Sequence, residues 1–246
     1  MTKKEIASYI DHTILAPDAG VKEVLSVCNE AKKYGFASVC VNPVNVSVAA
    51  CELNDSPVKV CTVVGFPLGA TTTEVKIAEA VNAIENGASE IDMVINIGAA
   101  KEGRISAVSS DIIGVVEACR KAGNKAKRKI IVKVILETCL LDDSTIKDCC
   151  LCAKKAGADF VKTSTGFAAP KGIDGNLLPN GASVHHVQLM RKTVGADFGV
   201  KASGGIRSAR SAASMILAGA TRIGTSSGIQ ILDAWDESIE IPETAR

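Results

Sequence analysis

Two kinds of apolar pattern alternate along this chain. Short runs that are apolar almost throughout, near 8–12, 38–42, 58–65, 90–96, 129–137, 159–164, 198–203 and 221–225, have the length and β-branched content of buried strands. Between them, segments near 20–34, 44–53, 72–86, 106–122, 143–156, 182–194, 207–218 and 226–233 carry apolar residues at three- and four-residue spacing, the period of amphipathic helices. Gly35, Gly87, Gly157 and Gly219 each stand just before a strand, where a left-handed residue ends a helix and turns the chain into the sheet. Strict alternation with short connections implies parallel strands and right-handed crossovers. Eight such units over residues 1–246 predict a single-domain (β/α)8 TIM barrel, with an open doubly wound sheet as the alternative.

Polar residues interrupt the strand pattern in a telling way. Lys133, Lys162 and Lys201 each lie inside a run that otherwise reads as buried strand. One lysine so placed is ordinarily an ion-paired or snorkelling side chain. Three in consecutive strands point to a shared interior, where each cation would lower the pKa of its neighbours and leave one amine neutral and nucleophilic. In Glu90-Ile91-Asp92-Met93-Val94-Ile95-Asn96 the apolar residues 91, 93 and 95 can face the helices, which turns Asp92, Val94 and Asn96 inward with the lysines. Asp92 then serves as counter-ion, proton carrier or both. This set of groups suits imine chemistry on a carbonyl substrate.

The last two predicted βα loops are glycine-rich: Ser203-Gly204-Gly205-Ile206-Arg207 and Gly224-Thr225-Ser226-Ser227-Gly228. Glycines let backbone N–H groups approach an anion, and helix N-termini add positive potential. Gly204, Gly205, Ile206, Arg207, Gly224, Ser226 and Ser227 are therefore expected to bind phosphate, at the place where barrels commonly hold it.

Composition narrows the classes. A formal net charge of +1, with charges scattered, gives no footprint for nucleic acid or an anionic membrane surface, so an anionic ligand must be small and locally held. The 47% hydrophobic content is enough for a substantial core, yet no stretch is long and apolar enough to span a bilayer, and the opening residues lack the apolar centre of a signal peptide. A cytoplasmic location is expected. Nine cysteines, an odd number set mostly in helix and strand patterns, read as free thiols; Cys149, Cys150 and Cys152 contain one Cys-x-x-Cys with no second pair. His12, His185 and His186 could form a metal site only if the two sequence neighbours converged. Neither metal nor organic cofactor is expected.

Ile10-Asp11-His12-Thr13-Ile14-Leu15, Thr62-Val63-Val64-Gly65-Phe66-Pro67-Leu68-Gly69, Lys133-Val134-Ile135-Leu136-Glu137-Thr138, Phe160-Val161-Lys162-Thr163-Ser164-Thr165-Gly166-Phe167 and Val200-Lys201-Ala202-Ser203-Gly204-Gly205-Ile206-Arg207, with the strand around Asp92, resemble the 2-deoxyribose-5-phosphate aldolases over nearly the whole chain. That resemblance implies a class I aldolase on a (β/α)8 barrel, cleaving 2-deoxy-D-ribose 5-phosphate reversibly to acetaldehyde and D-glyceraldehyde 3-phosphate. It implies Lys162 as the Schiff-base nucleophile, Lys201 as the cation that lowers its pKa, and Asp92 as the carboxylate of a proton relay. Lys133 resembles a lysine near that relay, Cys40 a cysteine near the aldehyde, and Thr13 and Thr165 pocket-lining residues; Cys40 by itself reads as a structural thiol. A homo-oligomer, dimer or tetramer, is expected. A related Schiff-base aldolase on another sugar phosphate and a non-catalytic phosphosugar-binding barrel are the alternatives.

Two departures from the family pattern stand out. Residues 168–181 form a longer sixth βα loop than the short glycine turn usual in bacterial members, read as a tolerated insertion or as a lid with Lys171 near the phosphate. The sequence closes Ile-Pro-Glu-Thr-Ala-Arg, without the terminal tyrosine that some members fold over the site.

Overall fold

A computed structural model describes residues 1–238; residues 239–246, which include the closing Ile-Pro-Glu-Thr-Ala-Arg, lie outside that range. Eight parallel strands, β1 (Ile10–Ile14), β2 (Ser38–Val41), β3 (Lys59–Val64), β4 (Glu90–Val94), β5 (Ile131–Ile135), β6 (Phe160–Lys162), β7 (Gly199–Ser203) and β8 (Arg222–Thr225), pair in chain order. β1 pairs with β8, closing the barrel and ruling out the open sheet.

The helices fall where the sequence periodicity puts them: α2 (Val21–Tyr34), α3 (Val46–Glu52), α4 (Thr73–Glu85), α6 (Ile105–Lys125), α7 (Asp143–Lys155), α8 (Val184–Val194), α9 (Ala209–Leu217) and α10 (Gly228–Asp233). Gly35, Gly87, Gly157 and Gly219 all take positive φ, as their positions before strands require. Two five-residue helices were not expected, α1 (Lys3–Ala7) and α5 (Ile97–Lys101). The first holds a capping box between Thr2 and Glu5. The second corrects the reading of Asn96, which does not face the interior as a strand residue; it is the N-cap of α5 and its side chain accepts from Ala99 N. The first strand also runs 10–14 rather than 8–12. Among the described residues, no helix is long and apolar enough to cross a membrane.

The pleat divides each strand between two environments. Outward residues such as Val39, Val41, Ile91, Met93, Val132, Val134, Val161, Val200 and Ile223 join one continuous core beneath the helices. Inward residues fill the barrel, where the apolar cluster is small: Leu15, Cys40, Cys61 and Val63, with Phe66 against it. Phe160, half-buried at the start of β6, packs over Gly199, where a Cβ would meet its ring at 2.2–2.4 Å. The remainder of the interior is polar and charged, and that composition decides what the barrel does.

Candidate active site

All eight strands send a polar or ionisable side chain into the interior. Asp11 comes from β1, Ser38 and Cys40 from β2, Cys61 from β3, Glu90 and Asp92 from β4, Lys133 from β5, Lys162 from β6, Lys201 from β7 and Arg222 from β8. Parallel register makes the convergence possible, since Asp92 lies opposite Lys133 and Lys162 opposite Lys201. Asp92 is the hub. Its Oδ1 accepts from Lys133 Nζ at 2.8 Å, while its Oδ2 accepts from both Lys162 and Lys201, each at 2.7 Å. Lys133 also lies 2.6 Å from Glu90, and Lys201 lies 2.5 Å from Asp11 Oδ2. Below them Arg222 bridges Asp11 and Glu90, and Ser38 donates to Asp11 Oδ1 at 2.6 Å.

These ions are out of water, and their pairing decides their charge. Burial alone would raise the Asp92 pKa, but Lys133, Lys162 and Lys201 outweigh it and hold the carboxyl well below its ordinary range. Asp11 is depressed likewise, with burial opposed by Arg222, Lys201 and Lys133. Lys133 does lower Lys201, as expected of neighbouring cations, but repulsion does not decide the outcome for either lysine. Burial lowers Lys133 and Lys201, yet Asp92 with Glu90 and Asp11 overrides it, and both ammonium groups are pushed above the usual lysine value. Sequence identified the cations but did not reveal the second and third carboxylates. Lys162 differs from the other two in its surroundings, because Asp92 is its one salt-bridge partner among the described residues and it alone of the three lines the open cavity.

That cavity, of about 450 Å³, opens at the C-terminal ends of the strands. Thr13, Lys162 and Thr165 line one part, and Gly204, Gly205, Ile206, Arg207, Gly224 and Ser226 another. Ser227 stands just beyond its wall as the N-cap of α10. Asp92, Lys133, Lys201 and Cys40 lie deeper and fully or almost fully buried. The two glycine loops are braced against each other, since Thr225 Oγ1 donates to Ile206 O at 2.7 Å and accepts from Ser227 N at 2.9 Å. Gly204, at φ +85°, passes so close to the sixth loop that its Cβ would meet Gly181 Cα at 2.7 Å. The sixth loop makes contacts within itself, since Lys171 and Leu177 form an antiparallel bridge and Gly172 N donates to Asn176 O at 2.8 Å, and just before it Phe167 sits edge-on to Phe66 at 5.3 Å.

Four functional neighbours escaped the sequence reading. Asp11, Glu90 and Arg222 stand at or near strand starts, where polarity reads as a strand boundary, although counting back by two from Asp92 reaches Glu90. Cys61 lies directly opposite Cys40, and its thiol is 3.3 Å from Asp92 Oδ1 and 3.4 Å from Lys133 Nζ. The Cys61 partner draws the Cys40 thiol below its ordinary pKa, whereas burial and Cys40 push Cys61 well above it. Cys40, Cys61 and Asp92, and likewise Asp11, Cys61 and Glu90, bring donors close enough to hold a metal ion, but the Lys133 ammonium already pairs with Asp11, Glu90 and Asp92 as the cation. At the rim, Glu137 accepts from both the backbone N and the hydroxyl of Thr165, fixing the residue that follows the Lys162 strand.

Residues 6–234 match the model of the DeoC/LacD family aldolases. The chain belongs to that family. A deoxyribose-phosphate aldolase from Caldanaerobacter subterraneus subsp. tengcongensis is 53% identical over 240 residues, covering 96% of this chain and 97% of that one. One from Streptococcus gordonii is 56% identical over 228 residues, with 93% and 96% covered. Among solved structures, the deoxyribose phosphate aldolase from Aeropyrum pernix, described as having a unique tetrameric structure, superposes with a TM-score of 0.83 at 36% identity over 94% of this chain and 91% of that chain.

Proposed function

We propose that this aldolase cleaves 2-deoxy-D-ribose 5-phosphate reversibly to acetaldehyde and D-glyceraldehyde 3-phosphate through an imine on Lys162. The carrying observation is the position of Lys162, which lines the cavity facing the glycine loops while its amine shares one oxygen of Asp92 with Lys201. Charge balance supports the assignment. Lys133, Lys162, Lys201 and Arg222 face Asp11, Glu90 and Asp92, so the fully ionised interior carries one excess positive charge. Lys162 has fewer carboxylate partners than Lys133 or Lys201, Asp92 alone among the described residues.

The free amine attacks C1 of the open-chain aldehyde, and loss of water leaves a protonated imine that can accept electrons. The C3 hydroxyl then gives its proton, through water, to the Asp92–Lys201 pair as the C2–C3 bond breaks. Asp92 alone is a weak base because the lysines hold it ionised, so the pair acts as a unit. Glyceraldehyde 3-phosphate leaves, the enamine is protonated at C2, and hydrolysis frees acetaldehyde and the amine. The backbone N–H groups of the seventh and eighth loops, with Ser226, Ser227 and Arg207, hold the substrate phosphate, while Thr13 and Thr165 flank the sugar and Cys40 lies near the aldehyde. Lys133 keeps Asp92 ionised and oriented.

The enzyme is proposed to work as a cytoplasmic homo-oligomer, dimer or tetramer, with the whole chain as one catalytic domain; light scattering on the eluting protein tests the assembly. Cleavage assays across phosphorylated sugars test the reaction. Deoxyribose 5-phosphate should give the highest kcat/KM. Faster cleavage of another phosphosugar would replace the substrate, and imine-free binding of all of them would remove the catalytic reading.

A further inference from the structure

Outside the barrel interior, three donor side chains converge on the catalytic-face side of the helical layer. Asp143 opens α7, and His185 and His186 lie in the first turn of α8. One donor atom from each lies within 4.8 Å of the other two. His185 Nε2 is 2.8 and 2.9 Å from the two carboxylate oxygens of Asp143. Neighbouring histidines on a helix point in directions about 100° apart, which ordinarily keeps them from sharing a ligand. Here the helix is only beginning, and the rings approach to 5.4 Å between centroids. His186 Nδ1 is buried without a hydrogen-bond partner, whereas its backbone N donates to the Ser183 cap.

We propose that Asp143, His185 and His186 form a binding site for a divalent transition-metal ion of the zinc type. Two imidazoles and one carboxylate are the donor set such ions favour, with solvent completing the tetrahedron. Metal–ligand bonds of about 2.0–2.2 Å place neighbouring donors roughly 3.3–3.6 Å apart, so the Asp143–His185 pair must open by about half an ångström. Both side chains are exposed enough to move, at 48% and 64% of their full accessible area. The N-termini of α7 and α8 oppose a cation, and the carboxylates of Asp142 and Asp143 offset them.

The position gives the ion a structural consequence. α8 begins directly after the sixth loop, whose last part is tied to the seventh through Ala182 N donating to Gly204 O at 3.1 Å. A metal joining α7 to α8 would pin the downstream root of that loop without touching Lys162 or Asp92. It is a brace beside the catalytic cavity.

The chain has three histidines, which makes ring NMR a direct test. Zinc chloride added to the full-length protein should shift the His185 and His186 ring signals together, saturating at one equivalent. His12, buried with Nε2 on Glu30, serves as the internal control and should not move. Asp143→Asn should weaken binding about ten- to a hundredfold, the scale of losses around metal centres, with EDTA reversing the wild-type shifts. Zinc taken up while both ring signals stay in place would mean capture by thiols and would overturn the site. Equal affinity in Asp143→Asn, or no saturable shift, would show that the cluster is a surface ion pair only.

Discussion

Asp92 holds three lysines at once, so its removal should be felt in both folding and rate. Asp92→Asn leaves buried ammonium groups with fewer counter-charges, a change that costs about 3–5 kcal/mol when a buried pair is broken. Denaturant unfolding should show that loss together with collapse of aldol cleavage. Wild-type stability in this variant would mean that Glu90 and Asp11 suffice for the cations. Lys201 tests activation separately. Its charge adds to the positive excess that favours the free amine on Lys162, so Lys201→Leu should move the midpoint of the rate rise to higher pH and lower the rate near neutrality. An unshifted profile would assign the activation of Lys162 to burial. These residues were legible to different degrees: the lysines and Asp92 break an apolar run, but Glu90 and Arg222 sit at strand starts, and their partnership spans 132 positions of sequence. Only the barrel's register brings them together.

At the scale of elements, the sixth loop and the strand packing give separate expectations. Residues 168–181 satisfy many of their hydrogen bonds within the loop, with Leu178 N donating to Pro170 O at 2.8 Å and Asn180 Nδ2 to Ala168 O at 2.7 Å. Replacing the segment with a short glycine turn should therefore leave the barrel folded, change KM for deoxyribose 5-phosphate, and spare imine trapping of acetaldehyde. Equal loss of both activities would refute the view that the loop governs substrate reach. Between β6 and β7, Gly199→Ala places a methyl against the Phe160 ring and should cost about 1–3 kcal/mol, read as a lower Tm. An unchanged Tm would show that the ring shifts freely. The eight strands and their helices were readable because each repeats its period over enough residues. The helices α1 and α5, five residues each, are too short to show one, and α5 depends on the Asn96 cap.

The molecule as a whole encloses an ionic network inside a hydrocarbon shell, and this arrangement sets its response to pH. Asp11 and Asp92 are depressed, so their contribution to stability is complete above the ordinary carboxylate value and is lost as pH falls through their folded values. Lys133 and Lys201 are raised, so theirs is complete below the ordinary lysine value and is lost as pH rises through their folded values. Between about pH 5 and pH 9.5 these four groups should therefore contribute a constant stability. Melting curves across that window check it; a slope that disappears in Asp92→Asn would locate a titrating member. The closed topology was visible in the eightfold alternation, whereas the completeness of the interior network was not, because no local pattern says which strand edges meet. The central claim is that this network delivers a free amine at Lys162. Borohydride reduction in the presence of acetaldehyde, followed by mass mapping, should find a two-carbon adduct on Lys162 and none in Lys162→Arg, whose guanidinium stays protonated. An adduct solely on another lysine, or undiminished cleavage by Lys162→Arg, would contradict the account.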